Sequence, residues 1–400
     1  MNVRNEIIVL SGTSGAGKSS VAQRLSEEYE EFEITQAITT RGKRKDDKPG
    51  QYQYVTDEEF RELGKRDKLL VRSKYRGKHY GITYEALDRT VDKGKTPILI
   101  IAPESLKELR ADESKEHRSF FSVFFDAPDD VLDKRLEERE EKPQETMAQR
   151  TVDRENSAEY LYIVKNLQIE KTVELVRSLW NYRKAGGVLS KRLIQLMIEC
   201  GMLMENANLE NIKGASYDLA LDDEYYYKGE TRTLDDKDSF IKMEPGDYAL
   251  IGSKEIAKFP NDIAGRFGLS VSLFFLGIIL SNGPQVDPGF GGRLYCLLFN
   301  TSSEEVQLKR GQHYATVEFL KLVEPTIAYA GKYQGKDRIT EYLPRSIESS
   351  AIGELRKDVR SLKSERLWIK MLPLVISLLA ILLAFLSLLP ELKRIILGGS

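Results

Sequence analysis

The sequence of 400 residues predicts an α/β domain, then an all-β domain, then a single transmembrane helix. Over residues 1–180, short apolar runs alternate with amphipathic segments, which is typical of a parallel sheet covered by helices. Over residues 188–345, short apolar runs are separated by Gly, Pro, Asn and Asp, which favours a barrel or jelly-roll body. Residues 371–390 carry no charge, and a run of about 20 apolar residues is what crossing a bilayer requires.

The elements of the α/β domain follow from the spacing of its apolar residues. The predicted strands are residues 6–10, 96–101 and 119–125, and the predicted helices begin near Ser19, Asp129 and Gln144. Residues 181–187, NYRKAGG, are predicted to be a linker. The β domain then opens with a helix-like segment, SKRLIQLMIECG, before its strand-like runs begin.

Composition and charge exclude several classes of protein. A net charge of −2 argues against a protein built mainly around nucleic acid. Cys200 and Cys296 are far apart in the sequence, so neither a disulfide framework nor a Cys-rich zinc site is predicted. The N-terminus has no apolar stretch long enough for a signal peptide. The two domains are therefore expected in the cytoplasm, on a single-pass membrane protein.

The segment before the uncharged run has a helical pattern of its own. In residues 350–370 apolar side chains recur at three- and four-residue steps. This pattern fits either a short heptad seam between helices of several chains or a lone amphipathic helix. The alternative for residues 371–390 is a buried core helix, but such helices rarely run so long without a charge. Basic residues flank the run on both sides, so charge alone does not orient it.

A phosphate-binding loop follows the first predicted strand. The stretch GTSGAGKS fits G-x-x-x-x-G-K-[ST], in which glycines let backbone N–H groups turn toward phosphate oxygens. Lys18 supplies a cation for the β and γ phosphates, and the Ser19 hydroxyl is the predicted ligand of Mg²⁺. The predicted ATP-binding residues are Gly12, Gly15, Gly17, Lys18, Ser19 and Ser20.

The region around this loop resembles the guanylate kinase family over residues 4 to 180. The shared segments are GTSGAGKSS, ITTRGKR, GQYQYVTDEEF, RGKHYGITYEAL, DDVLDKRLEERE and MAQRTVDRENSAEY. The resemblance implies that the phosphate of an acceptor monophosphate is held by Arg41, Arg44, Tyr52 and Tyr80. It also implies that lid arginines neutralise the phosphoryl group in transfer, and these are Arg135, Arg139 and Arg150.

The acceptor side departs from that family where the base is read. Ala37 replaces a serine, Val71 replaces the glutamate that reads the guanine edge, and Ile82 replaces a second serine. Ile100 and Ala102 stand where the family has acidic residues. Two N–H donors of guanine without a carboxylate acceptor would cost several kcal/mol in a closed pocket, on the order of the penalty for unpaired buried donors. Guanosine monophosphate is therefore not the expected acceptor.

The second domain resembles the dCTP deaminase and dUTPase superfamily from about Leu189 to Thr340. The shared segments are LSKRLIQLMIECGML, GASYDLAL, EPGDYALIGSKEIAKFPNDIAG, GLSVSLFFLGI, QVDPGFGGRLYCLLFN, LKRGQHYATVEF and YAGKYQGKDRIT. The resemblance implies a homotrimer with nucleotide sites at subunit interfaces. The residues it implies for a deoxypyrimidine nucleotide are Asp218, Asn282, Asp287, Tyr333 and Gln334.

The catalytic positions of that superfamily are only partly kept. Leu297 occupies the place of the deaminase glutamate, and Ser270 and Phe275 replace arginines. Loss of a general acid or base typically costs two to four orders of magnitude in rate, so no deaminase activity is predicted. Asp287 matches the aspartate that activates water in dUTPases, whereas Thr316 stands where a glutamine is usual.

Three functions remain open at this stage. The first is a membrane-anchored sensor of nucleotide pools, whose layout resembles bacterial anti-phage systems in which altered dNTP levels trigger membrane damage. The second is a phosphotransferase acting on an acceptor other than guanosine monophosphate. The third is an enzyme that hydrolyses dUTP. Loss of catalytic residues favours the first, Lys18 with the lid arginines supports the second, and Asp287 supports the third.

Overall fold

The structure is a computed structural model that describes residues 6–43, 47, 50–75, 77–116, 118–138, 147–235, 240–281, 285–343, 361–362 and 369–383. The first domain contains β1 Glu6–Gly12, α1 Lys18–Glu28, β2 Phe32–Ile34, β3 Ala37–Thr39, β4 Tyr52–Tyr54, α2 Asp57–Lys65, β5 Leu69–Tyr75, β6 Lys78–Thr83, α3 Tyr84–Asp92, β7 Thr96–Ile100, α4 Leu106–Glu116, β8 Ser119–Asp126, α5 Asp129–Glu137, α6 Met147–Asn156, β9 Tyr162–Lys165 and α7 Ile169–Asn181. The predicted α/β fold is confirmed, and the three predicted strands are β1, β7 and β8.

The central sheet of this domain is parallel, with strand order β2-β7-β1-β8-β9. Every residue of β1 is buried, as expected for a middle strand with helices on both faces. A smaller sheet, β4-β3-β6-β5, lies beside it. Helix starts are fixed locally: Thr56 and Glu59 form a capping box at α2, and the Thr83 side chain caps α3. The loops at the carboxyl ends of β1 and β7 face the smaller sheet across one cavity.

The second domain is all-β apart from two α-helices and two single-turn 3₁₀ helices in its described part. Its elements are β10 Gly187–Val188, α8 Lys191–Glu199, β11 Leu203–Glu205, β12 Ser216–Tyr227, β13 Glu230–Thr233, β14 Phe240–Met243, β15 Tyr248–Lys258, β16 Ile263–Leu269, α9 Val271–Phe275, β17 Ile278–Ser281, β18 Gln285–Val286, β19 Gly291–Asn300, β20 Val306–Lys309 and β21 His313–Lys321. The main path is β17-β19-β15-β12-β21-β16-β18, and β14 pairs with β20. Burial alternates along β19, so one face of that strand covers the core. The predicted β domain is confirmed.

The two domains pack directly against each other. Helices α7 and α8 are in contact, and the buried side chains of both belong to one continuous apolar core. The backbone N–H of Lys165, at the end of β9, donates to the carbonyl of Cys200. Strand β9, the edge strand of the parallel sheet, therefore contacts the second domain.

The predicted C-terminal helices are described only in part. Residues 369–383 are helical with exposed side chains. Among the described residues, no helix combines the length and apolar character needed to cross a membrane. Residues 384–390 of the predicted span lie outside the described residues, and so do 350–360 and 363–368 of the predicted amphipathic segment.

Candidate nucleotide-binding sites

The phosphate loop joins the end of β1 to the start of α1. Gly12, Gly15 and Gly17 have φ values of 145°, 87° and 87°, a region that favours glycine. The ammonium of Lys18 donates to the carbonyls of Gly12 and Thr13 at 2.8 and 2.9 Å, and so lies over the loop. Because the first N–H groups of α1 open into the loop, its centre is suited to phosphate oxygens. The predicted ATP-binding segment is thus assembled at one helix N-terminus.

Asn166, a residue that the sequence motifs do not single out, supports the loop from behind. Its side-chain amide donates to the Ala16 carbonyl at 2.8 Å, and its oxygen accepts from the Thr172 hydroxyl at 2.9 Å. The guanidinium of Arg135 donates to the Asn166 carbonyl at 2.9 Å and to the Gly15 carbonyl at 3.4 Å. Arg135, a predicted lid residue, is therefore placed beside the loop.

The other predicted lid arginines are placed differently. Arg150 is 2% exposed, does not line the cavity, and is paired with Asp133 at 2.6 Å and Asp129 at 3.5 Å. To reach a phosphoryl group it would have to leave both carboxylates, so its catalytic role stays a prediction. Arg139 lies outside the described residues.

The acceptor side holds three of the four residues predicted to grip a phosphate. Tyr52 on β4 and Tyr80 on β6 flank β3 in the small sheet, and Arg41 follows the end of β3. All three line the same cavity as the phosphate loop. The guanidinium of Arg41 lies 4.8 Å from the centroid of the Tyr52 ring, and the two tyrosine rings are 6.4 Å apart. Burial raises the pKa of Tyr52. Arg44 lies outside the described residues.

The base-reading part of that cavity is apolar. The residues that replace the family's polar groups all line it, and they are Ala37, Val71, Ile82, Ile100 and Ala102. Val71 and Ile82 are 3% and 2% exposed, so both side chains are packed into this wall of the cavity. Ser73 and Tyr75 supply hydroxyl groups nearby. A ligand base would meet hydroxyls and methyl groups at this wall, and no carboxylate.

One carboxylate does line the cavity, at a position that sequence reasoning missed. Asp153 lies on α6, is 4% exposed, and accepts from the side-chain amide of Gln149 at 2.9 Å. Burial raises its pKa, while the positive charge of Lys18 acts in the opposite direction. A buried carboxylate that faces a cavity and carries a shifted pKa is typical of a functional site.

Asp153→Asn is expected to stabilise the protein at neutral pH. The variant keeps an oxygen for Gln149 and removes a charge that burial disfavours. The folded-state pKa of Asp153 lies above the usual 3.8. Below pH 3.8 the carboxyl group is protonated in both the folded and the unfolded protein and its burial costs no charge. As pH rises from 3.8 through the folded-state pKa, the wild-type protein loses stability because the buried group must ionise. Urea unfolding at several pH values should show a difference between the two proteins that is absent near pH 3.8 and grows toward pH 7. Glu155→Gln, on the exposed face of the same helix, is the control.

In the β domain, the two predicted aspartates lie apart within one chain. Asp218 on β12 accepts from the Thr316 hydroxyl at 3.0 Å and pairs with Lys213 at 3.3 Å. Asp287 is exposed and follows β18, which is separated from β12 by β21 and β16. Asn282 lies outside the described residues. One chain alone thus does not bring Asp218 and Asp287 into one site.

The predicted tail residues do reach the turn that carries Asp287. The Gln334 side chain donates to the Gly289 carbonyl and accepts from the Gly291 N–H, each at 3.0 Å. The ring of Tyr333 stacks on Tyr342, with centroids 5.2 Å apart and an interplanar angle of 6°. The tail is therefore docked beside the turn by its own chain.

Leu297, at the position of the deaminase glutamate, is half-buried on β19, and a leucine side chain cannot transfer a proton.

Among the described residues no group of three or more His, Cys, Asp or Glu side chains could hold a metal ion. At the phosphate loop, Ser19 is the residue that would hold Mg²⁺, together with the phosphates of a bound nucleotide.

Comparisons with known proteins divide the chain at the same place as the fold. The family model described as Guanylate kinase matches residues 4–182, and the one described as dCTP deaminase-like matches residues 188–322. A guanylate kinase of Streptococcus pyogenes serotype M3 is 35% identical over 185 residues, which are 44% of this chain and 85% of the relative. A dCTP deaminase of Pyrococcus horikoshii is 34% identical over 139 residues, which are 34% of this chain and 88% of the relative. A crystal structure of guanylate kinase from Anaplasma phagocytophilum covers 45% of this chain and 87% of its own, with 23% identity and a TM-score of 0.37.

Proposed function

Because the chain belongs to the guanylate kinase family in its first domain and to the dCTP deaminase-like family in its second, we propose that it is a nucleotide-responsive binding protein. The first domain binds a nucleoside triphosphate, ATP in the first instance, with Mg²⁺. The second domain binds a deoxypyrimidine nucleotide without deaminating it. The level of these nucleotides is the signal to which the protein responds.

One observation carries this proposal: a single cavity combines a complete phosphate loop with an acceptor wall that lacks the groups for guanine. Lys18 and the backbone of the loop fit a triphosphate, and the Ser19 hydroxyl fits Mg²⁺, which would neutralise phosphate charge when bound. The side chains of Val71 and Ile100 offer no hydrogen-bond acceptor to the N–H edge of guanine. Binding at the loop is thereby supported, and phosphorylation of guanosine monophosphate is not.

The β domain supports binding in the same way. Asp218 accepts a hydrogen bond from Thr316 on the sheet, and Gln334 ties the tail to the turn that follows Asp287. Leu297 removes the proton-transfer group, so the domain keeps a nucleotide site and loses the deamination step.

A phosphotransferase with a different acceptor is the second candidate. It is favoured by Arg135, which lies against the phosphate loop, and by Arg41 with its two tyrosines on the acceptor side. Phosphoryl transfer depends mostly on positioning and on electrostatic stabilisation, which arginines supply. Product formation from a nucleotide other than guanosine monophosphate would favour this candidate over a binding protein.

Membrane anchoring and trimer formation belong to the proposal as well. The uncharged run 371–390 supports an anchor. Trimer formation is supported by an exposed apolar surface on α9, where Val271, Phe274 and Phe275 are 64% to 80% exposed. Fractionation of cells that express the full chain tests the anchor, and mass measurement in detergent tests the trimer.

Lys18→Ala is expected to abolish stabilisation by ATP and Mg²⁺ and to leave stabilisation by deoxypyrimidine nucleotides unchanged. A ligand at 100 times its dissociation constant should raise the free energy of unfolding by about 2.7 kcal/mol. Thermal unfolding of the full chain with ATP, GTP, the four dNTPs and dUTP measures this, with chromatography of the nucleotides afterwards. Asp287→Ala is the reciprocal variant. Deamination or hydrolysis of a deoxynucleotide that is lost in Asp287→Ala would contradict the proposal.

A further inference from the structure

The hydroxyl of Tyr162, a residue of the first domain, contacts a buried carboxylate of the second domain. It donates to Asp262 Oδ2, which also accepts from the ammonium of Lys321 at 2.7 Å. Tyr162 is 1% exposed, and the side chain of Asp262 is 0% exposed. Asp262 Oδ1 has no hydrogen-bond partner among the described residues. The carboxylate is therefore held by two donors, one from each domain.

This carboxylate belongs to a short segment, residues 260–262, which contacts the turn of Asp287. The Gly289 N–H, in that turn, donates to the Pro260 carbonyl at 3.1 Å. A Cβ on Gly289 would lie 2.8 Å from Asn261 Oδ1, so the turn and the segment are in close contact. The position of the turn therefore depends on the position of the segment.

The same segment also holds the start of the tail. The Thr326 N–H donates to the Asn261 carbonyl at 3.0 Å, and the Tyr329 N–H donates to the Pro288 carbonyl of the turn at 2.9 Å. Segment 260–262 thus contacts both parts of the site that the resemblance assigns to a deoxypyrimidine nucleotide, namely the turn and the tail. Both parts are loops, which are more mobile than the sheet beside them.

Tyr162 is itself fixed by the first domain. It lies on strand β9, where it is the register partner of Val123 on β8. Its ring packs against Phe121, with centroids 5.5 Å apart. A side chain on a strand holds its contact more precisely than one on a loop. The hydroxyl of Tyr162 therefore gives segment 260–262 a support that the second domain does not supply.

We propose that Tyr162 is a positioning residue of the nucleotide site in the second domain. Through Asp262 it holds segment 260–262, and with that segment the turn of Asp287 and the tail, in the arrangement that receives a deoxypyrimidine nucleotide. The proposal rests on the proposed function, because it assumes that the second domain binds such a nucleotide. Since energetic coupling is reciprocal, binding of that nucleotide should in turn stabilise the contact between the two domains.

Tyr162→Phe in the full chain tests this, because it removes the hydroxyl and keeps the ring against Phe121. Calorimetry with dCTP and with dUTP should show an affinity about five- to tenfold lower than in the wild type, within the usual range for coupled sites. The affinity for ATP with Mg²⁺ should be unchanged. Tyr160→Phe is the matched control, since the buried hydroxyl of Tyr160 donates to the Pro103 carbonyl at 3.1 Å within the first domain. It should leave the affinity for dCTP and dUTP unchanged, and an equal loss in both variants would overturn the proposal.

Hydrogen exchange of the same proteins without nucleotide tests the positioning directly. In Tyr162→Phe the amide hydrogens of Gly289, Thr326 and Tyr329 should exchange about five- to tenfold faster than in the wild type, because local opening becomes easier. In Tyr160→Phe they should exchange at the wild-type rate. Unchanged exchange at these amides in Tyr162→Phe, or unchanged affinity for a deoxynucleotide that the wild type binds, would overturn the proposal.

Two further outcomes can be told apart. If the wild type binds neither dCTP nor dUTP, the proposed function of the second domain fails, while exchange without nucleotide still decides whether Tyr162 positions the turn. If Tyr162→Phe fails to fold, exchange in the wild type decides. There dCTP or dUTP should slow exchange of the Lys165 N–H, which donates to the Cys200 carbonyl across the two domains. An unchanged rate with bound nucleotide would overturn the proposal.

Discussion

Replacing Asp262 by alanine is expected to lower the free energy of unfolding by about 3 to 5 kcal/mol, because it leaves a buried ammonium group without its counter-ion. The ammonium of Lys321 lies 2.7 Å from Asp262 Oδ2, and the two side chains are 4% and 0% exposed. The hydroxyl of Tyr162, from β9 of the first domain, donates to the same oxygen. After the substitution, Lys321 keeps one hydrogen-bond partner among the described residues, the Leu322 carbonyl at 3.4 Å. The buried cluster joins the two domains, so the loss is expected in the unfolding of both.

Urea unfolding of the full chain measures this loss. Glu205→Ala is the matched control, because Glu205 pairs with Lys258 at 2.8 Å while both side chains are more than 40% exposed. An exposed pair is worth about 0 to 1 kcal/mol, so that variant should stay close to the wild type. Equal small losses in the two variants would show that Asp262 is hydrated, contrary to its burial. Asp262→Asn, which keeps an oxygen toward Tyr162, should fall between them.

Gly12→Ala is expected to destroy the phosphate loop and to lower the free energy of unfolding by roughly 2 to 6 kcal/mol, because backbone strain and overpacking add. Gly12 has a φ of 145°, and a Cβ at this position would lie 2.0 Å from the Phe125 carbonyl oxygen. That oxygen belongs to the neighbouring strand β8, so it cannot move aside as a side chain would. The variant should bind no ATP even where it remains folded.

Gly94→Ala is the control for strain without a clash. Gly94 has a φ of 72°, and nothing lies within 4 Å of a Cβ built there. Gly94→Ala should lower the free energy of unfolding by only about 1 to 2 kcal/mol and leave the affinity for ATP unchanged. Calorimetry with ATP and Mg²⁺, together with urea unfolding, measures both variants. Normal ATP affinity in Gly12→Ala would show that the loop can be rebuilt around an alanine.

Much of the fold could be predicted because its signals are local. The apolar runs of β1, β7 and β8 are buried on both faces, so each is visible in a few consecutive residues. The phosphate loop needs eight residues in order, with glycine where φ is positive. The apolar acceptor wall could also be predicted, since Val71, Ile82, Ile100 and Ala102 stand where the guanylate kinase family, which the chain resembles, has polar or acidic residues.

The charged contacts could not be predicted, since their meaning lies in partners distant in sequence or in burial. Asp262 is 100 residues from Tyr162 and 59 from Lys321, and in the sequence it is one acidic residue after an Asn. Asp153 lies on a helix with few apolar residues, so nothing marked its burial. Only the folded structure shows which of these carboxylates are buried.

The central claim is that the first domain binds a triphosphate opposite a pocket that does not accept guanosine monophosphate. The most direct test is incubation of the full chain with ATP, Mg²⁺ and guanosine monophosphate, with chromatography of the nucleotides and calorimetry of ATP on the same preparation. We predict ATP binding with no guanosine diphosphate formed above the level in Lys18→Ala. Guanosine diphosphate that forms in the wild type and is lost in Lys18→Ala would contradict the account and identify a working guanylate kinase.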